Sequence, residues 1–284
     1  DPLGIRPLVI GKFEDAYILA SETCALDIIG ASFVREVENG EVVIIRNGKI
    51  ETRRPFPNNN KRPCVFEYIY FSRPDSILNG KTAYEYRKNL GVFLAKESDI
   101  KPDVIVPVPD SGVPAALGYS QETNIPFELG LIRNHYVGRT FIEPTQQIRS
   151  LGVKLKLNPN LSSIKNKIVL LVDDSLVRGT TSFKIIKMLY DSGAKEVHMR
   201  IASPQIKFPD FYGVDTPTQE ELLAANKNLE EMCDHIGAKS LNFLSIESLY
   251  KALGYSNRNV KNPQFTDHYF TGDYPVRPID YLNE

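Results

Sequence analysis

Apolar and polar positions follow two different periods along this chain, and the change falls near residue 64. Ahead of it, the short runs PLVIG and AYILAS read as strands. The stretch 32–56, SFVREVENGEVVIIRNGKIETRRPF, alternates and carries two Asn-Gly pairs, Asn39-Gly40 and Asn47-Gly48. Asn-Gly tolerates the positive φ of a type I′ turn, so this stretch predicts a three-strand antiparallel meander. RRPFPNNNKRP follows, polar and without period, and predicts a linker. Beyond it the pattern becomes strand, helix, strand. VFEYIYF predicts a strand, TAYEYRKNLGVFLAKE a helix, DVIVPVP a buried strand and GVPAALGYSQET a helix. KIVLLVDD predicts a strand, TTSFKIIKMLYDSG a helix ending on Gly193, and EVHMRIAS a further strand. Such alternation implies a parallel sheet with helices on both faces, an α/β fold. The chain after about Tyr255 is polar and aromatic with no clear period, and predicts a surface wrap.

Composition narrows the function without choosing it. The 284 residues are 42% hydrophobic and 24% charged, with a net charge of −1. That balance gives no global field for nucleic acid or a membrane surface. No apolar run approaches the roughly 18 residues of a membrane span. Cys24, Cys64 and Cys233 are widely spaced with no C-x-x-C, which suggests reduced core thiols in a cytoplasmic compartment. His135, His198, His235 and His268 show no metal-ligand spacing. The chain begins DPLGIRPLVIGK, without Met and with strand character, so a fragment or a processed product is expected.

The chemistry concentrates in LLVDDSLVRGTTS, residues 170–182. Ile168 to Val172 are apolar throughout, as a central parallel strand requires, so Asp173 and Asp174 fall at its carboxyl end, where open α/β sheets bind ligands. Ser175, Val177, Arg178, Gly179, Thr180, Thr181 and Ser182 then lead into a helix. A helix amino-terminus offers unpaired N–H groups and a positive dipole end to an anion such as phosphate. Gly179 permits close backbone approach. Two carboxylates beside a phosphate would repel it. Sugar hydroxyls donating to the acids, with Mg²⁺ nearby, remove that conflict. The competing reading, a plain helix cap by Thr180 or Ser182, accounts for one residue of this run rather than all of it. Asp110, Ser111 and Gly112 repeat the arrangement after DVIVPVP, as a strand-to-helix turn able to present N–H groups to an anion; taken alone, an Asp/Ser helix cap is the competing reading, and the acidic run beside it favours the site. Residues 133–156 hold five Lys/Arg against one Glu without a sustained period, which predicts a functional loop, with a solvated basic surface loop as the competing reading.

IVLLVDDSLVRGTTS resembles the phosphoribosyl pyrophosphate (PRPP) motif of type I phosphoribosyltransferases. Its variant DDSLVRGTTS is similar to that of the amidophosphoribosyltransferase family. DPLGIRPLVIGK, EYIYFSRPDS, VPVPDSG, RNHYVGRTFIEPTQQIR, KLKLNPN and FYGVDTPT extend the resemblance over essentially the whole chain. The resemblance implies a type I phosphoribosyltransferase fold over residues 57–284. Residues 1–56 would then be the final, antiparallel part of an N-terminal-nucleophile glutaminase domain. It implies transfer of ammonia, released from glutamine, to C1 of PRPP, the first committed step of purine synthesis, with pyrophosphate leaving. Asp173 and Asp174 would hold the ribose hydroxyls and, with Ser111, contribute to a Mg²⁺ site. Residues 175–182 would cradle the 5-phosphate. Tyr136, Arg139, Thr140 and Lys156 would cover the pyrophosphate from a closing loop, and Arg133 stands where the family often has Lys. The nucleophilic amino-terminal Cys of that glutaminase is absent from this chain, which is therefore expected to use at most free ammonia. Purine nucleotides as feedback inhibitors and a homo-oligomer also follow from the resemblance.

Some family members carry a four-cysteine iron–sulfur cluster. Cys64 matches one ligand position; Asp210, Thr266 and Tyr269 stand at the others, so no cluster is expected. Two other functions compete: a salvage phosphoribosyltransferase acting on a nucleobase, and a non-catalytic PRPP-binding regulator.

Overall fold

The computed structural model describes residues 1–57, 59–134, 157–216 and 218–276. In space the chain divides into two compact units, one of Asp1–Tyr86, Phe208–Thr216 and Ser256–Glu284, the other of Arg87–Lys207 and Pro217–Tyr255.

The first unit opens with strands β1 (Val9–Phe13) and β2 (Ala16–Ala20), helix α1 (Thr23–Ile28) and strand β3 (Ser32–Glu36). β1 lies between β2 and β3, antiparallel to both. α1 closes one face through Leu26, whose methyl groups fill the space beside Gly11. The predicted three-strand meander is not what forms. β4 (Val42–Arg46) and β5 (Lys49–Arg53) make a separate hairpin, while β3 joins β1. The two Asn-Gly pairs explain the difference. Asn47 and Gly48 both take positive φ, 49° and 69°, as a type I′ turn needs. At the other pair only Gly40 does, and the Asn39 amide instead donates to the carbonyls of Pro2 and Asn59.

A second correction concerns VFEYIYF. Residues Glu67–Phe71 form a π-helical turn, not a strand. Burial there is contiguous, from Cys64 to Ile69, rather than alternating. The Glu67 carboxylate is buried and accepts from Ser72 Oγ at 2.7 Å, with Arg6 Nη2 at 3.1 Å from its other oxygen. Short strands β6 (Ile77–Leu78) and β7 (Lys81–Thr82) form a small hairpin before helix α2 (Ala83–Lys96).

The second unit is built on a four-stranded parallel sheet. Its strands are β8 (Val104–Pro107), β11 (Ile168–Asp173), β12 (Glu196–Ile201) and β13 (Ser240–Phe243), ordered β13-β12-β11-β8. β9 (Leu131–Arg133) and β10 (Leu157–Pro159) pair antiparallel beside it. Helix α3 (Val113–Thr123) follows β8; α4 (Leu161–Ile164) precedes β11, and α5 (Thr180–Asp191) follows it. α6 (Leu223–Asn226), α7 (Leu229–Ile236) and α8 (Ile246–Ala252) complete this unit. One core layer gathers Val104, Val106, Val169, Leu171, Val197 and Met199 against Ile185, Leu189, Met232 and Ile236. On α2 and α3, Gly91 and Gly118 mark a backbone-to-backbone crossing. A Cβ on Gly91 would lie 1.8 Å from the Ala115 carbonyl oxygen, and one on Gly118 would lie 1.9 Å from that of Lys88.

The segment after Tyr255 is not a surface wrap throughout. Phe265, Thr266, Asp267, His268, Tyr269 and Phe270 are buried, the last three within helix α9 (His268–Thr271) of the first unit.

Candidate active site

The register of the parallel sheet places two turns side by side. Val172 of β11 pairs with Pro107 of β8, so Asp173 and Val108 leave the same edge together. Val108 N donates to the Val172 carbonyl at 2.8 Å. Gly112 closes against that carbonyl as well: a Cβ there would sit 2.4 Å from the oxygen. Only glycine fits at this point, and it brings the 110–112 turn directly against the end of the acidic strand.

Asp174 is buried and Asp173 half-buried. Asp173 Oδ1 accepts from Asp174 N at 2.9 Å, and Ser175 Oγ donates to Asp174 Oδ1 at 2.5 Å. Burial first, and the neighbouring Asp174 charge second, push the Asp173 carboxyl well above the ordinary carboxylate range. The turn that follows alternates inward and outward. Leu176 is buried in the core, Val177 receives Leu223 N at its carbonyl at 2.9 Å, and Arg178 faces outward to Glu221 at 3.1 Å. Gly179 takes φ +76° at the head of α5, where a Cβ would meet Leu223, His235 and Ile236 at 2.9–3.3 Å.

α5 begins without a side-chain cap among the described residues. The helix-cap reading of Thr180 and Ser182 is therefore not realised. Thr180 and Thr181 are exposed and Ser182 is buried. The open N–H groups remain available to an anion. α3 likewise starts at Gly112 without a side-chain cap, preceded by a cis Pro109–Asp110 peptide. Asp110 is exposed and forms an ion pair with Arg133, and Ser111 is half-buried. Asp110, Ser111, Asp173, Asp174 and residues 175–182 thus lie on two adjacent strand-to-helix turns of one sheet edge. Tyr136, Arg139, Thr140 and Lys156 lie outside the described residues.

The pattern along the chain did not mark the support behind this turn, Glu221 to Ile236. A signal was present: Asn228 and Glu231 form a reciprocal capping box at the head of α7, an Asn-x-x-Glu readable in sequence.

An acidic strand end, a glycine-opened turn and two uncapped helices on one parallel sheet edge define a phosphoribosyltransferase domain. Residues 77–202 match the phosphoribosyl transferase domain family. More narrowly, the chain matches amidophosphoribosyltransferases along its whole length. It is 60% identical over its full length to an amidophosphoribosyltransferase of Rhizobium etli, of which it spans 58%. It is 50% identical to that of Bacillus subtilis over 97% of its length, again spanning 58% of the relative. The solved B. subtilis glutamine PRPP amidotransferase complexed with ADP and GMP superposes with a TM-score of 0.89 at 50% identity, over 98% of this chain and 61% of that one. The chain therefore spans little more than half the length of such relatives.

Two groups implied by the family can be tested against these residues. Mg²⁺ fits: the acid pair and Ser111 offer hard oxygen donors, and among the described residues no three-ligand His/Cys/Asp/Glu cage competes. Mg²⁺ characteristically binds through one or two carboxylates plus substrate oxygens. A four-thiolate iron–sulfur cluster does not fit. Cys64 is the single thiol among positions 64, 210, 266 and 269, and burial pushes it up to about 11, disfavouring a thiolate. No helix among the described residues is long and apolar enough to cross a membrane.

Proposed function

We propose that this chain carries the phosphoribosyl-transfer half of an amidophosphoribosyltransferase: ammonia attacks C1 of PRPP, pyrophosphate leaves, and 5-phosphoribosylamine forms as the first committed step of purine synthesis. The observation that carries the reading is the juxtaposition of an acid pair, Asp174 buried and Asp173 half-buried, with the uncapped amino-terminus of α5. Asp173 and Asp174 accept hydrogen bonds from the ribose hydroxyls. The N–H groups of residues 179–182 and the Thr180 and Thr181 hydroxyls hold the 5-phosphate. The 110–112 turn, with Ser111, takes the pyrophosphate. As that group departs C1 becomes oxocarbenium-like, and nearby carboxylate charge stabilises it. Asp173, Asp174 and Ser111 would hold Mg²⁺, which would supply positive charge to the leaving pyrophosphate.

The family resemblance assigns Arg139, Lys156 and Tyr136 to the pyrophosphate end of the reaction. Residues 1–56 are read as the end of a glutaminase domain, so glutamine serves this chain only through a portion that carries the nucleophile. Purine nucleotides act as feedback inhibitors, the protein is a homo-oligomer, and it works in the cytoplasm. The deciding experiment follows PRPP-dependent pyrophosphate release with Mg²⁺, offering ammonia, glutamine or a panel of nucleobases. Release with ammonia alone is expected. Release with a base would make it a salvage enzyme, and PRPP binding without release a regulator.

A further inference from the structure

Three segments distant in sequence meet inside the first unit. Cys64 bridges Thr266 in parallel, with Val65 N donating to Thr266 O at 3.1 Å and Thr266 N to Pro63 O at 2.9 Å. Phe208 N donates to Tyr269 O at 3.1 Å, and the Phe66 ring meets Tyr269 edge-on at 4.6 Å. Polar groups, not only apolar ones, fill the meeting point. Cys64 Sγ lies 3.3 Å from Tyr269 OH, where either atom can donate. Asp210 Oδ2 accepts from Tyr212 N at 2.8 Å and Val214 N at 2.7 Å. His268 Nε2 stands 3.0 Å from Asp210 Oδ1, off the line of a well-aligned hydrogen bond, as a close polar contact.

Cys64, Tyr269 and His268 have no exposed surface, and neither has the Asp210 side chain. Burial alone would raise the Asp210 carboxyl; His268 and the N–H groups of Val214 and Tyr212 outweigh it and hold the group below its ordinary value. A charge so deep survives only with its partners in place. Thr266 does not enter this chain of contacts; its hydroxyl donates to the Arg62 carbonyl at 2.7 Å. We propose that Cys64, Tyr269, Asp210 and His268 form a metal-free polar lock that fastens residues 208–216 and 265–272 to residues 62–66, with Asp210 as its pivot. The lock makes this unit indifferent to iron supply and to oxygen. It stands whether or not the phosphoribosyl-transfer reading holds.

The test uses the full chain, purified without oxygen, as wild type, Tyr269→Phe, Cys64→Ala, their double variant and Asp210→Asn. Elemental analysis is expected to find iron and zinc far below one per chain, and the melting temperature to be the same in air, without oxygen and with a chelator. Tyr269→Phe and Asp210→Asn are expected to melt roughly 5–10 °C lower. The Cys64→Ala/Tyr269→Phe pair should be non-additive. Stoichiometric metal, a chelator-sensitive melt, additive losses in the pair, or a Tyr269→Phe variant that melts with the wild type would overturn the proposal. Tyr269→Phe deletes a single oxygen, so it reads the lock even if Asp210→Asn does not fold.

Discussion

Replacing Asp173 with Asn should stabilise this chain while abolishing its chemistry. The substitution keeps the Oδ1 that accepts from Asp174 N at 2.9 Å and removes only the charge. For two carboxylates on adjacent residues, about 6 Å apart at an effective dielectric of about 20, Coulomb's law gives roughly 3 kcal/mol of repulsion. Water on the open side and salt screen this, leaving about 1–2 kcal/mol, or roughly 2–5 °C in melting temperature. The pH dependence fixes the cause. Asp173 holds its proton to higher pH in the folded chain than in the unfolded one. Above about pH 4 the unfolded chain releases that proton while the folded chain keeps it, so folding loses free energy as pH rises until the raised folded value is passed. Asn does not titrate. The gap between variant and wild type should therefore be near zero at acid pH, widen as pH rises and then level off. Mg²⁺ should narrow it by stabilising the wild type alone. Thermal melts across pH, with and without Mg²⁺, measure this, and PRPP-dependent pyrophosphate release should fall by about 10²–10³-fold. An Asn variant that melts below the wild type at neutral pH, or a gap independent of pH, would refute the reasoning.

Other outcomes can be set beside it. Gly179→Ala places a Cβ at φ +76°, 2.9 Å from Leu223, so a loss of about 1–3 kcal/mol is expected by denaturant unfolding, together with weaker PRPP binding by calorimetry. Gly112→Ala forces a contact of 2.4 Å with the Val172 carbonyl and should separate the two turns. A loss of about 3 kcal/mol or more, or failure to fold, is expected on expression and melting. Alkylation at pH 8 followed by peptide mass mapping should label the half-buried Cys233 and spare Cys64, whose thiol is pushed up to about 11.

The two strand-to-helix turns were legible because their causes are local. β8 and β11 are apolar on both faces, which is the signature of a central parallel strand, and each ends abruptly in Asp, Ser and Gly. Among the described residues nothing else joins so buried a strand to so polar a turn. The failures were non-local. EYIYF has the composition of a strand, yet Glu67, Tyr68 and Ile69 are all buried, because Phe265 and Tyr86 close on Tyr68 and Ser72 and Arg6 reach Glu67. Only Ser72 lies within ten residues of this turn; Arg6, Tyr86 and Phe265 all come from farther away in the chain. The tail failed for the same reason. Read alone, QFTDHYF is polar and irregular, so it was assigned to the surface. Its Asp and His are buried because Arg258 meets Asp267 at 2.6 Å and Asp210 meets His268. Hydropathy scores a side chain against water, but a buried ion pair is scored against its partner. A polar segment can therefore belong to a core whenever its complement arrives from elsewhere in the chain. In this protein the sites that bind outward are written in consecutive residues, and those that bind inward draw on segments as far as 205 residues apart.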